Sequence, residues 1–99
     1  MTHVTMIADK DGVFEVTCDG HATGSDAMCT AISTLTQTLY GWVRNKEDVK
    51  ISQQAIVPGH FHLRFHGGNA GEVFFYVLVG MLQLQETDSE HISVEFYEK

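Results

Sequence analysis

Residues 20–29, GHATGSDAMC, bring an imidazole (His21), a carboxylate (Asp26) and a thiol (Cys29) together with only small residues between them. An imidazole beside a thiol can take its proton; the thiolate then attacks a carbonyl carbon, and the imidazolium protonates the leaving amine. Asp26, Cys29 and Ser33 are spaced three and four apart, so on a helix they occupy one side. If that helix begins near Asp26, Cys29 lies in its first turn, where unpaired amides and the positive end of the helix dipole favour an anion such as a thiolate. Gly20 and Gly24 let the backbone approach a substrate closely. The same residues fit a plainer reading, a strand-to-helix turn that contains a buried cysteine, and spacing alone leaves both open.

The elements around this stretch follow from periodicity. His3–Ala8 and Val13–Asp19 are β-favouring runs joined through Asp11-Gly12, a strong hairpin signal. In the second run Phe14, Val16 and Cys18 share one parity, which places Cys18 on the apolar side as a small core residue. From Met28 the period changes: Met28, Ile32, Leu35, Leu39 and Val43 recur at alternating steps of four and three, which predicts an amphipathic helix over residues 26–45. Ser25 or Asp26 can cap its start, and Arg44 and Lys46 suit its negative end.

Residues 49–57 and 60–66 read as two strands around a Pro58-Gly59 turn. Asn69 with Glu72 resembles a capping box, and residues 70–87 have helical length, although VFFYVLV alone has the composition of a strand. This second helix is apolar on more than one face, so it is expected to sit deep in the domain or to pack against another copy of the chain. Ile92–Tyr97 closes the chain as a strand. The order ββαββαβ predicts a two-layer α+β domain, helices packed on a β-sheet, spanning residues 1–99 as one unit.

The bulk composition narrows the partners. Thirteen Asp and Glu against six Lys and Arg give a net charge of −7, which repels phosphate backbones and anionic membranes and suits a basic protein segment. No direct nucleic-acid or membrane partner is expected. The opening MTHVTMIADKDG lacks the charged start and apolar core of a signal peptide, so a cytoplasmic protein with reduced thiols is expected. The apolar run Val73–Leu82 is too short to cross a bilayer. His60, His62 and His66 share one strand parity, but Arg64 stands among them and no cysteine or carboxylate completes a ligand set nearby. That strand is read as solvent-facing or interfacial, with no metal and no cofactor. Tyr40 and Trp42, late in the first helix, are read as finishing a core.

Taken together, Gly20-His21-Ala22, then Gly24 and Asp26, then Cys29-Thr30-Ala31-Ile32-Ser33 resemble the GHA and DIVCAAVS elements of the Prp family, the ribosomal-processing or YsxB-like cysteine proteases. Gly59-His60-Phe61-His62-Leu63-Arg64 is similar to a GHFHIR segment of that family, so the likeness spans nearly the whole chain. The resemblance implies a cysteine endopeptidase with His21 and Cys29 as a dyad and with supporting roles for Asp26 and Ser33. It also implies an α+β homodimer that removes a short N-terminal extension from a large-subunit ribosomal protein, cleaving after a phenylalanine. Phage-encoded relatives process capsid or scaffold proteins instead. The segment from His21 to Cys29 is shorter than in the usual ribosomal-processing members, which bears on substrate more than on chemistry. A second expectation is a non-catalytic ribosome-associated or assembly protein that keeps the fold.

Overall fold

The computed structural model describes residues 1–21 and 24–99. The elements run β1 (Thr2–Ala8), β2 (Val13–Asp19), α1 (Asp26–Asn45), β3 (Lys50–Val57), β4 (His60–His66), α2 (Ala70–Thr87) and β5 (Ile92–Glu98), the ββαββαβ order read from the sequence. The strands form one mixed sheet in the order β3-β4-β2-β1-β5, antiparallel throughout except for the parallel β1–β5 pair. Both helices lie on one face of it and pack on each other.

The alternation of β4 shows how the two faces are built. Phe61, Leu63 and Phe65 are buried under the helices, while His60, His62, Arg64 and His66 point to the open face. Beside them, Val16 and Cys18 of β2 and Val4 and Met6 of β1 complete the sheet's share of the core. From above, α1 contributes Met28, Ile32, Leu39 and Val43, and α2 contributes Val73, Phe74, Val77, Leu78 and Met81. Cys18 is 5% exposed, in the core role its parity assigned it. Tyr40 and Trp42 pack against the core edge, as expected of them, with Arg44 and Lys46 over their rings.

One cap differs from the sequence expectation. Asn69 stands at the start of α2, but its side chain makes no cap bond to the backbone; its amide donates to the Glu72 carboxylate at 3.3 Å. The Asn-to-Glu spacing that resembles a capping box thus yields a side-chain pair, and packing of the buried face fixes the helix start. Ser25 does cap α1: its hydroxyl accepts from the Met28 amide at 3.1 Å. For the site, the decisive junction is the end of β2, where the Gly20 amide donates to the Gly59 carbonyl at 2.8 Å. This bond ties the strand that delivers His21 to the β3–β4 turn.

Candidate active site

Three elements meet at one end of the sheet: the exit of β2, the first two turns of α1 and the β3–β4 turn. A cavity of about 390 Å³ opens between them, lined by His21, Cys29, Ser33, Gln37, the Ile56–Phe61 turn region and the ends of β1 and β2. The cavity therefore brings together the imidazole and the thiol that the sequence spacing singled out. A second, shallower depression runs on from it along α1 over Cys29, Thr30, Ser33, Thr34, Gln37 and Thr38. Cys29 stands where the two join, so a peptide lying through both would pass over its sulfur.

Local structure explains each placement. Cys29 is the fourth residue of α1, half-buried, and its amide donates to the Ser25 carbonyl at 3.1 Å. Ser33 and Gln37 follow at four-residue steps on the same side, both exposed into the cleft. His21 is exposed and rests against the β3–β4 turn: a Cβ added to Gly59 would lie 2.8 Å from its Nε2. Gly59 also has φ +79°, so the turn and the seat of the imidazole both require glycine there. At Gly20, φ is +89° and a Cβ would stand 2.6 Å from the Met1 carbonyl, so its role is close backbone packing as well as cavity lining. Gly24 has φ +90° and faces the His91 ring. Ala22 lies outside the described residues. Asp26 is the exposed first residue of α1 and is not among the residues lining the cleft.

Sequence reasoning missed two groups. Gln37 is a further step on the Cys29–Ser33 helical side, a signal present in the spacing. His60, the first residue of β4, is among the residues at the cavity's edge, and on the open face its Nδ1 is hydrogen-bonded to the Asp19 carboxylate; only the strand register, which pairs Asp19 with His60, reveals this pair. Farther along the open face His62 Nε2 donates to Glu15 at 2.6 Å. Among the described residues no group of three or more His, Cys, Asp and Glu is placed to hold a metal. Cys18 also borders the cavity, but burial, and to a lesser degree the nearby Asp19 charge, pushes its thiol up to about 12.

A family model described as cysteine protease Prp matches residues 1–93. The chain belongs to the cysteine protease Prp family. Solved structures agree in fold. A ribosomal processing protease Prp from S. aureus, in complex with a covalently linked product peptide, has a TM-score of 0.79 at 23% identity, over 97% of this chain and 99% of that one. The same S. aureus protease with a substrate peptide has a TM-score of 0.75 at 17% identity over the same shares. A Streptococcus mutans protein has a TM-score of 0.76 at 24% identity, over 100% of this chain and 96% of that one. No curated protein matches the sequence. The five-stranded sheet under two helices is thus the Prp fold, and the cavity at its β2–α1 end is where this Prp-family chain carries its thiol.

Proposed function

We propose that this Prp-family protein is a cysteine endopeptidase in which Cys29 is the nucleophile and His21 the general base and then acid. The observation that carries the reading is the shared cavity, which His21 and Cys29 both line from different elements. His21 takes the Sγ proton; the sulfur adds to the scissile carbonyl carbon; as the C–N bond breaks, the same proton passes to the leaving amine. Water, deprotonated by His21, then cleaves the thioester and returns the proton to Sγ.

The oxyanion of each tetrahedral intermediate needs donors. At the start of α1, Ser25 already accepts from the amides of Met28 and Cys29. That leaves the amides of Asp26 and Ala27 as the donors we assign. Gln37 is two four-residue steps beyond Cys29, about 12 Å along the helix axis, too far for this task and better placed to bind the peptide. Ser33, one step away, supports the thiol side of the cleft, and Asp26 adds negative charge and order to the loop's entry into α1.

The substrate we assign is the N-terminal extension of a large-subunit ribosomal protein, with a phage structural protein as the other basic or assembly-type target. The net charge of −7 suits a basic target, and Ile56 and Val57, 39% and 58% exposed at the rim, suit an apolar side chain beside the cleaved bond. Neither cysteine is in a disulfide, in keeping with work in a reducing cytoplasm. We further assign a homodimer formed through α2, which exposes Phe75, Tyr76, Val79 and Leu82. The test is cleavage of a peptide with a Phe-Phe-Ala junction, followed by mass spectrometry. Wild type should cut after phenylalanine, and Cys29→Ser and Cys29→Ala should remain folded and cut nothing. Equal residual cleavage in Cys29→Ala and Cys18→Ala would overturn the assignment.

A further inference from the structure

β3 pairs with β4 on one side, and among the described residues no strand lies beyond it on the other. An edge strand presents a row of free backbone donors and acceptors, which proteins commonly guard with charges or a bulge. At the opposite edge, β5 carries Glu95 and Glu98. On β3 the guards, Lys50 and a bulge between Ile51 and Gln53, stand at the end away from the cavity. The stretch Gln53-Gln54-Ala55-Ile56-Val57 is uncharged and runs up to the cavity, which Ile56 and Val57 line. Val57 and His60 are register partners across the two-residue Pro58-Gly59 turn, so they are the pair that exchanges backbone bonds. Alternation then makes Ala55 and His62 a bonded pair and leaves the main-chain N–H and C=O of Ile56 and Gln54 pointing away from β4. By the same parity the side chains of Ile56 and Gln54 lie on the helix side of the sheet, with those of their partners Phe61 and Leu63.

Taking the peptidase reading as its basis, we propose that the outer edge of β3, from Gln54 to Ile56, binds the substrate segment N-terminal to the cut as an added strand. The edge leads into the cavity, so a peptide paired on it continues into the cleft with its register fixed by backbone bonds. Every second side chain of such a strand faces the helix side, where Ile56 offers an apolar neighbour at the rim. The absence of charge from Gln53 to Val57 suits an uncharged, apolar segment next to the cleaved bond. The bond from the Gly20 amide to the Gly59 carbonyl ties this hairpin to the strand that leads to His21, so peptide and general base share one frame.

The experiment is steady-state cleavage of quenched Phe-Phe-Ala peptides, separating KM from kcat, in which the backbone amides N-terminal to the cut are N-methylated one at a time. An added strand bonds to β3 through alternate residues, so KM should rise about tenfold at every second position, the effect of one lost hydrogen bond, and little at the positions between. A rise without that alternation overturns the inference. On the protein side, Gln54→Pro removes an outward main-chain donor and spares the β4 ladder, a placement that edge strands tolerate. Gln54 does not line the cavity, so the variant should keep its circular dichroism and the iodoacetamide rate of Cys29 while KM rises about tenfold. A folded Gln54→Pro with the wild-type KM overturns the inference. A fall from dimer to monomer mass with KM unchanged overturns it too, since the edge would then belong to a second copy of the chain. Should the variant fail to fold, the alternation in the N-methyl series decides alone. Wild-type protein that cuts no peptide overturns the peptidase reading on which the inference rests, a result distinct from all of these.

Discussion

Cys18 and Cys29 both border the cavity, yet they differ in burial. Cys18 is packed among core side chains of the sheet, and its thiol is pushed from 9.0 up to about 12, by burial first and by the Asp19 charge second. Cys29 is half-buried at the cleft. Iodoacetamide at pH 8 should therefore label the folded protein once, at Cys29, and label Cys18 only after unfolding, as peptide mapping would show; early labelling of Cys18 would contradict its burial. Linkage gives a second expectation. Above the ordinary thiol value the unfolded chain loses the Cys18 proton while the folded chain keeps it, so the folded state binds more protons and stability falls with rising pH. The fall should occupy the window from 9.0 to about 12. Cys18→Ala lacks this component: at pH 8 it should be less stable than wild type by about 1 kcal/mol, and in urea unfolding the gap should close and then reverse between about pH 9 and pH 11. A gap that stays constant over that range would show that Cys18 ionises equally in both states.

At the scale of elements, the β3–β4 turn does for His21 what α1 does for Cys29. Gly59→Ala should lower cleavage for two separable reasons, since it strains a backbone at φ +79° and places a Cβ 2.8 Å from His21 Nε2. Gly12→Ala supplies the control: its φ is +82° and a Cβ there meets nothing within 4 Å. Both variants should lose about 1 kcal/mol in thermal or urea unfolding, and only Gly59→Ala should lose turnover; equal turnover in the two would show that His21 does not depend on its seat. The comparison also shows which parts of the site could be read from sequence. The side of α1 carrying Cys29 and Ser33 was legible because helical spacing is local, and α1 itself because its apolar stripe has a clean period. The Pro58-Gly59 turn was legible as a turn but not as the support of His21, because that contact joins residues far apart in the chain. His60 was read with its strand parity, correctly on the open face, while its pairing with Asp19 depends on a β2–β4 register that alternation alone does not set. The Asn69 cap was misread because spacing records which residues are three apart but not whether a side chain turns to the backbone or to its neighbour.

For the whole molecule, the unresolved balance is on α2. Its inner side is filled by Val73, Phe74, Val77, Leu78 and Met81, yet Phe75, Tyr76, Val79 and Leu82 stand 42%, 67%, 56% and 41% exposed. Steps of four and three connect Phe75, Val79 and Leu82 into one row, and between Val73 and Gln85 the helix has no charged residue to interrupt it. An uncharged row of this kind on a chain of net charge −7 is a surface where two like-charged copies can meet without opposing charges directly. Val79→Lys puts an ammonium at the middle of the row, where both copies of a two-fold contact would have to bury it against its twin. Light scattering should give twice the chain mass for wild type and the single-chain mass for Val79→Lys, with unchanged circular dichroism because Val79 faces outward. No residue of α2 lines the cavity, so the monomeric variant should still cleave the Phe-Phe-Ala peptide. A wild-type monomer at micromolar concentration would remove the dimer, and a Val79→Lys dimer would move its interface to another surface. A monomer that has lost cleavage would mean that the second copy completes the cleft, which the lining of the cavity by this chain's own residues argues against.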